Sequence, residues 1–121
     1  MYLIACDNII RDDALLKPSL IGIFDVLVIP QGQTKLLYSF MVGGKFYTPT
    51  LGELSTKIKI IDPNKKLFKE TEVLGSVNSG DTDLKASFPF AEFTLRGKYL
   101  LKLSMGGVDM EDNDRFYFIV L

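Results

Sequence analysis

The acidic stretch "GGVDMEDNDR", residues 106–115, is the densest group of side chains that could do chemistry. Its carboxylates fall within six positions and belong to Asp109, Glu111, Asp112 and Asp114. Calcium takes about six to eight oxygen ligands, usually from a loop in which a glycine allows a sharp bend. The core of the stretch, "VDMEDND", lacks that internal glycine and the distal bidentate glutamate of the calcium loop. The pattern predicts a solvated loop, with a weak calcium site as the alternative.

The position of the acidic stretch along the chain also favours a loop. It lies where a hairpin must join the last two strands, and Asp and Asn are favoured in turns because their side chains bond the local backbone. In the calcium alternative, Asp81 and Asp83 of "SGDTD" would add further carboxylates. We predict no metal site beyond this weak candidate, and no cofactor.

Catalytic groups are hard to assemble from this composition. The chain has no histidine and only one cysteine, which excludes Ser-His-Asp catalysis, Cys-His catalysis and a cysteine-rich zinc site. Glu70 and Glu72 share a strand face, but they are about 7 Å apart along the strand and "KETE" is typical of a solvated face. Cys6 lies in an apolar run and is interpreted as a buried thiol, with a reactive thiol as the alternative. We therefore predict a protein that is not an enzyme and has no catalytic residues.

Charge and hydropathy limit the possible partners. Fourteen basic and fifteen acidic residues give a net charge of −1, which provides no general field for nucleic acid or anionic membranes. No run approaches the roughly 18 apolar residues of a transmembrane helix. The order "LIAC" resembles a lipoprotein cleavage box, but only Met1 and Tyr2 precede it, without the basic segment and apolar run of a secretory signal. We expect a soluble, cytoplasmic protein that binds neither nucleic acid nor membrane.

The elements that must position these residues follow a period of two, and the helical period does not recur. In "STKIKIIDPNKKLF", Lys57 and Lys59 alternate with Ile58 and Ile60 before a turn. The only helical candidate, "RDDALLK", covers one or two turns at most. We predict an all-β protein, a single antiparallel β-sandwich of about seven to eight strands and immunoglobulin-like, Greek-key type, in one domain over residues 1–121. The predicted strands lie near residues 2–10, 19–29, 34–43, 52–62, 65–74, 84–94, 97–106 and 114–121.

Gly97 and Tyr99 of "RGKYLLKLSM" are candidates for a structural role. In Greek-key sandwiches, a tyrosine just inside a late strand often returns its hydroxyl to the backbone a few residues upstream. Simple packing of the Tyr99 ring in the core is the alternative. Neither role is catalytic.

Four segments carry a family resemblance when taken in order. They are "SLIGIFDVLVIP", "KIKIIDPNKKLF", "FTLRGKYLLKLSMGG" and the closing strand "RFYFIVL". The chain resembles an uncharacterised bacterial family of small β-sandwich proteins, a domain of unknown function, over nearly its whole length. It differs at Asn64-Lys65, where relatives have a glycine in the turn. The resemblance implies the fold and transfers no chemistry.

Surplus hydrophobicity is the property that most suggests a function. The mean hydropathy is +0.19, and "LIGIFDVLVI" interrupts its apolar run only with Gly22 and Asp25. A sandwich strand needs one apolar face, so a strand apolar on both faces is either covered twice or used at an interface. We therefore predict a non-enzymatic interaction or assembly module that contacts itself, as a homo-oligomer, or another protein. The predicted contact residues are Leu20, Ile21, Ile23, Phe24, Leu37 and Phe40.

A second hypothesis is a small-ligand or carbohydrate-binding sandwich, with some assistance from calcium. Phe46 and Tyr47 in "GGKFYTPT" could form a platform on which a sugar stacks. Alternatively, the two rings pin their own loop to the core. An aromatic cleft beside that loop would distinguish the two.

Overall fold

The structure is a computed structural model that describes residues 2–12, 17–48, 56–73, 80–110 and 114–121. Within these ranges every regular element is a β-strand, and no helix has the length and apolar character that a membrane crossing requires. The all-β prediction is therefore confirmed. The strands are β1 (Tyr2–Asp12), β2 (Lys17–Ile23), β3 (Val26–Leu27), β4 (Leu36–Thr48), β5 (Thr56–Ile61), β6 (Leu67–Glu72), β7 (Gly80–Phe93), β8 (Gly97–Met105), β9 (Val108–Asp109) and β10 (Tyr117–Val120).

The strands form two sheets that pack together. Sheet A has the order β2-β1-β4-β7, and sheet B has the order β3-β10-β8-β5-β6, with β9 paired to β8. The described pairings are antiparallel except that of β10 with β3, which is parallel. The predicted antiparallel arrangement needs correction at this pair. This pairing is parallel because the chain crosses from β2 in sheet A to β3 at the edge of sheet B, and β3 runs there in the same direction as β10.

The alternating sequence of β5 produces the expected half-buried strand. Ile58 and Ile60 are fully buried, while Lys57 and Lys59 on the opposite face are only partly covered. Side chains of successive strand residues point to opposite faces, so the two lysines lie on the outer face of sheet B. The β5 register fixes which residues of β6 and β8 lie beside them.

The segment predicted as one strand over residues 19–29 is in fact two strands in different sheets. Gly22 has a φ of +67°, a left-handed conformation that only glycine adopts readily. After it, the Phe24 N–H donates to the Ala5 carbonyl at 3.1 Å, while the Asp25 carbonyl accepts from Ile119 at 2.8 Å. The chain thus changes hydrogen-bonding partners from sheet A to sheet B within a few residues, which divides β2 from β3.

The helical candidate "RDDALLK" begins and ends in strands where the structure describes it. Arg11 and Asp12 end β1, and Lys17 begins β2. Residues 13–16 of that candidate lie outside the described residues. The described ends therefore belong to an antiparallel hairpin, in which Asp12 lies opposite Lys17.

The core between the sheets is rich in aromatic side chains. Phe40 and Phe93 from sheet A lie 5.9 Å apart, and Phe93 also stacks on Phe68 of sheet B at 5.0 Å. Tyr99 and Phe118, on neighbouring strands of sheet B, stack at 5.3 Å with nearly parallel rings. Because rings from both sheets contact one another, a single hydrophobic core joins the layers.

Tyr99 combines the two roles considered for it. Its ring is 1% exposed in the core, and its hydroxyl donates a hydrogen bond to the Leu95 carbonyl at 2.8 Å, four residues upstream. Burial, with a smaller contribution from Asp62, raises the pKa of Tyr99. Gly97 has a φ of +134°, and a Cβ there would lie 3.0 Å from the Cβ of Pro63. Gly97, the first residue of the strand that contains Tyr99, is therefore restricted both by its backbone conformation and by the neighbouring turn at Pro63.

Candidate functional site

Two surface regions carry the side chains that could contact a partner or a ligand. The first is the β1–β2 hairpin at the edge of sheet A. The second is the outer face of sheet B, around β5 and β8. The two regions differ in their chemistry, so each is described from its own residues.

The β1–β2 hairpin bends at Asp7 and Gly22. The Asp7 side chain lies where a Cβ on Gly22 would be, so the bend depends on glycine for space as well as for its positive φ. The Tyr38 hydroxyl of β4 donates a hydrogen bond to the Asp7 carboxylate. That hydrogen bond raises the pKa of Tyr38 to about 12, because the carboxylate stabilises the protonated phenol. The contact ties the bend to sheet A.

Beyond the bend, one face of the hairpin packs over Gly43 of β4. A Cβ on Gly43 would lie 2.6 Å from Leu20 Cδ2 and 3.0 Å from Ile9 Cδ1. Val42, the residue before it, is fully buried in the core, so Gly43 faces outward from sheet A. Ile9 and Leu20 therefore cover part of the outer face of the sheet.

Cys6 lies on the same outward face of sheet A. Ala5, the residue before it, belongs to the core between the sheets, and yet Cys6 is fully buried. Burial and the nearby Asp7 carboxylate raise the pKa of its thiol. A thiol that is buried and protonated is a poor nucleophile, which agrees with its interpretation as a small hydrophobic residue.

The solvent-facing side of the hairpin is apolar. Ile10, Ile21 and Ile23 are 49%, 48% and 61% exposed, and they alternate with the residues that pack downward. Ile21 and Ile23 lie on β2, the last strand of sheet A, and Ile10 lies on the neighbouring strand β1. An edge strand presents unpaired backbone donors and acceptors, here beside a row of exposed isoleucines.

The predicted contact residues divide among several environments. Leu20 is partly covered where it packs over Gly43, whereas Ile21 and Ile23 are exposed. Phe24 is partly buried against the aromatic core, with its ring 5.8 Å from that of Tyr38. Their shared apolar run therefore does not correspond to a single surface.

The prediction that Phe40 contacts a partner is wrong. Leu37, in contrast, is exposed and could contact one. Phe40 is 2% exposed and stacks on Phe88 in the core, so it has no surface to offer a partner. Leu37, on the opposite face of β4, is 60% exposed.

A further exposed side chain, Phe90, was not singled out from the sequence. It is 74% exposed and has a φ of +54°, at a β-bulge where the register between β4 and β7 shifts. The Ser39 hydroxyl accepts its backbone N–H at 2.9 Å. Pro89, which cannot donate to a sheet ladder, is the signal from which the bulge could have been predicted.

The acidic stretch of the sequence contributes two described carboxylates to the outer face of sheet B. Asp109 lies 3.4 Å from the Lys59 ammonium, and Asp114 lies 3.6 Å from that of Lys102. Lys59 and Lys102 are opposite each other on β5 and β8, an arrangement in which like charges repel. Each carboxylate therefore offsets one lysine of a repelling pair.

The calcium alternative has no support among the described side chains, where no group of three His, Cys, Asp or Glu residues could hold a metal ion. Gly106 and Gly107 both have positive φ and form the turn between β8 and β9, before the acidic residues. The remaining members of both ligand proposals lie outside the described residues or have side chains outside them: Glu111, Asp112, Asp81, Asp83, Phe46 and Tyr47.

A depression of about 210 Å³ lies on this outer face, between β5, β6, β8 and the turn into β9. It is lined by Lys57, Lys59, Glu70, Ser104 and Gly107. Ser104 is 2% exposed, although its strand face is the outer one. The β5–β8 register puts Ser104 directly opposite Lys57. The depression is thus polar, with charges of both signs and one buried hydroxyl.

Comparison with known proteins gives no relatives from which a role could be carried over. No family model matches the chain, and no curated protein or solved structure matches it. Membership of the bacterial β-sandwich family therefore stays a prediction that rests on the four sequence segments. Function has to be argued from the hairpin and from the outer face of sheet B.

Proposed function

We propose that the protein is a non-enzymatic assembly module, whose copies associate through the solvent-facing side and free edge of the β1–β2 hairpin. The observation that carries the proposal is the exposure of Ile10, Ile21 and Ile23, between 48% and 61%, on a hairpin at the edge of sheet A. Exposed apolar side chains grouped beside an unpaired strand edge are typical of surfaces that a partner covers.

A second copy of the chain suits this edge better than an unrelated partner. Two β2 strands that pair antiparallel about a two-fold axis would satisfy both edges at once and leave a closed dimer. Pro18 has no backbone N–H, so pairing would centre on the part of β2 that contains Ile21. A net charge of −1 gives little repulsion between copies.

The expected affinity is modest. Complete burial of one isoleucine side chain contributes roughly 1.5–3 kcal/mol, so burying the exposed half contributes about 1 kcal/mol. Three such residues from each copy give a total of about 6 kcal/mol. Association costs roughly 4–15 kcal/mol, which these contacts alone only begin to offset. Together with backbone hydrogen bonds at the edge, they favour a concentration-dependent dimer.

Light scattering after gel filtration, over roughly two orders of magnitude in protein concentration, tests the proposal. The wild-type mass should rise with concentration toward that of a dimer. The double variant Ile21→Lys/Ile23→Lys should remain monomeric, because two ammonium groups per copy would meet at the interface. Leu67→Lys is the matched control, since it changes an exposed leucine on β6, the edge of the other sheet. A wild-type protein that stays monomeric at every concentration would refute the proposal.

The finer classification of the fold is part of the same proposal. We infer an immunoglobulin-like, Greek-key sandwich from connections that cross between sheets, from β4 to β5 and from β6 to β7, and from the Tyr99 contact with Leu95. Membership of the bacterial β-sandwich family would imply the same topology. An experimental structure with a different strand order in either sheet would contradict this assignment.

A cytoplasmic location is also proposed. Its support is the single buried cysteine, which leaves no intrachain disulfide to form. Fractionation of the native host tests it, and recovery of the protein outside the cytoplasmic fraction would exclude it.

A further inference from the structure

We propose that the depression on the outer face of sheet B binds a small organic acid, held between the Lys57 ammonium and the Ser104 hydroxyl. This site lies on the opposite sheet from the assembly surface and does not depend on it. The ligand class follows from three features of the depression: a buried hydroxyl, an unpaired ammonium and a carboxylate on the far wall.

The buried hydroxyl belongs to Ser104. The residue is 2% exposed, and within the described ranges its hydroxyl makes no hydrogen bond to another residue. A buried polar group without a partner is unfavourable, and native proteins satisfy such groups with water or ligand. Because Ser104 lines the depression, an occupant of the depression can supply the missing partner.

The unpaired ammonium belongs to Lys57. It is the direct cross-strand neighbour of Ser104, and Cβ atoms of such neighbours are about 4.5–5.5 Å apart. Lys59 is engaged by Asp109 at 3.4 Å, but Lys57 has no ion pair with any described residue. One oxyanion can accept hydrogen bonds from the Lys57 ammonium and the Ser104 hydroxyl together, and bonds of this charge-assisted kind are the stronger ones.

Glu70 and Gly107 specify the rest of the ligand. Glu70 lines the depression from β6, and its carboxylate can accept a hydrogen bond from a hydroxyl or amino group. Gly107 has no atom within 4 Å of the position of a Cβ, so the rim is open to a ligand there. A volume of about 210 Å³ leaves room for a small molecule only. The ligand class is therefore a small carboxylic acid that carries a hydroxyl or amino group.

Titration of ¹⁵N-labelled full-length protein with lactate, glycine and acetate, followed by amide NMR, tests the proposal. Lactate or glycine should produce saturable shifts at Lys57, Ser104 and Gly107. Acetate should bind several-fold more weakly, because it offers Glu70 no donor. Lys57→Met and Ser104→Ala should each weaken binding about tenfold. Lys85→Met, at an exposed lysine on sheet A, is the matched control and should leave binding unchanged.

The thermal stability of Ser104→Ala checks that weaker binding by this variant is not a loss of folding. The variant should fold with unchanged or higher thermal stability, since it removes a buried group without a protein partner. Shifts that rise linearly with ligand, spread over lysines on both sheets, or persist in Lys57→Met would overturn the proposal. No saturable shift with any of the three acids would overturn it as well, and would assign Ser104 to water.

Discussion

The solvent-facing side of the β1–β2 hairpin and the outer face of sheet B are both outward surfaces, yet they are built from opposite kinds of side chain. On β5, lysines alternate with isoleucines, and the alternation assigns the lysines to solvent and the isoleucines to the core. On β2 there is no such alternation, so Leu20 packs over Gly43 while Ile21 on the other side is exposed. A strand without alternation therefore has a second apolar face. That face stays exposed to solvent unless another part of the fold or a partner covers it.

The largest expected effect comes from breaking the packing beneath the hairpin. In Gly43→Val, the new side chain would enter space occupied by Leu20 Cδ2 and Ile9 Cδ1, at 2.6 and 3.0 Å from its Cβ. Overpacking of this kind costs about 1–3 kcal/mol. Urea unfolding should show that loss, and the Cys6 thiol should react faster with a thiol reagent as the hairpin lifts.

Ser87→Val is the matched control for this variant. Ser87 is an exposed residue on β7, where valine suits the strand and meets no hairpin. Its stability and its Cys6 labelling rate should remain close to those of the wild type. If Gly43→Val loses stability while Cys6 stays as unreactive as before, the hairpin is not what covers the thiol, and the contrast between the two surfaces weakens.

The part of the fold that the sequence could predict is the part with alternation. The half-buried β5 strand and the backbone contact of Tyr99 both follow from local patterns of residues. The break between β2 and β3 does not, because a glycine within an apolar run is compatible with a continuous strand, a bulge or a bend. Two structural observations identify a bend: the Asp7 side chain lies against Gly22, and the hydrogen-bonding partner changes from sheet A to sheet B at Asp25.

The candidate sites were even less accessible from the sequence, because they depend on register between distant segments. Lys57 and Ser104 are neighbours through the pairing of β5 with β8, which are not consecutive in the chain. The acidic residues of the stretch drew attention to metal chemistry, whereas Asp109 and Asp114 instead contact lysines. Pro89 signals a bulge beside Phe90, but the β4–β7 register is needed to locate the bulge and to show that it exposes the ring.

A smaller effect is expected from the hydrogen bond that ties the hairpin bend to sheet A. The pKa of Tyr38 is raised to about 12 in the folded protein, above its ordinary value of 10. Folding therefore favours the protonated phenol, and this contribution to stability is complete below pH 10 and is lost as the pH rises toward 12. Urea midpoints should fall across this alkaline range, partly through Tyr38.

The variant Tyr38→Phe isolates the contribution of the Tyr38 phenol to this loss of stability at alkaline pH. It should be less stable than the wild type at neutral pH, and its urea midpoint should fall less steeply between pH 10 and 12. Because other groups titrate at alkaline pH in both proteins, the difference between the two profiles is the informative quantity. Parallel profiles would mean that Tyr38 does not hold the bend through Asp7.

The smallest effect should come from the charged face. The Lys59 and Asp109 side chains are 26% and 47% exposed and their charged atoms are 3.4 Å apart, and exposed pairs of this kind contribute roughly 0.2–1 kcal/mol. A double-mutant cycle with Lys59→Gln and Asp109→Asn should give a coupling free energy near the lower limit, which added salt reduces further. A coupling well above about 1 kcal/mol that salt leaves unchanged would instead mean that the face is rigid and shielded. With a small coupling, the charges of sheet B add little to folding and remain available to solvent or a ligand. The exposed hairpin isoleucines have no comparable solvation, so covering them would lower the free energy more than covering the charged face.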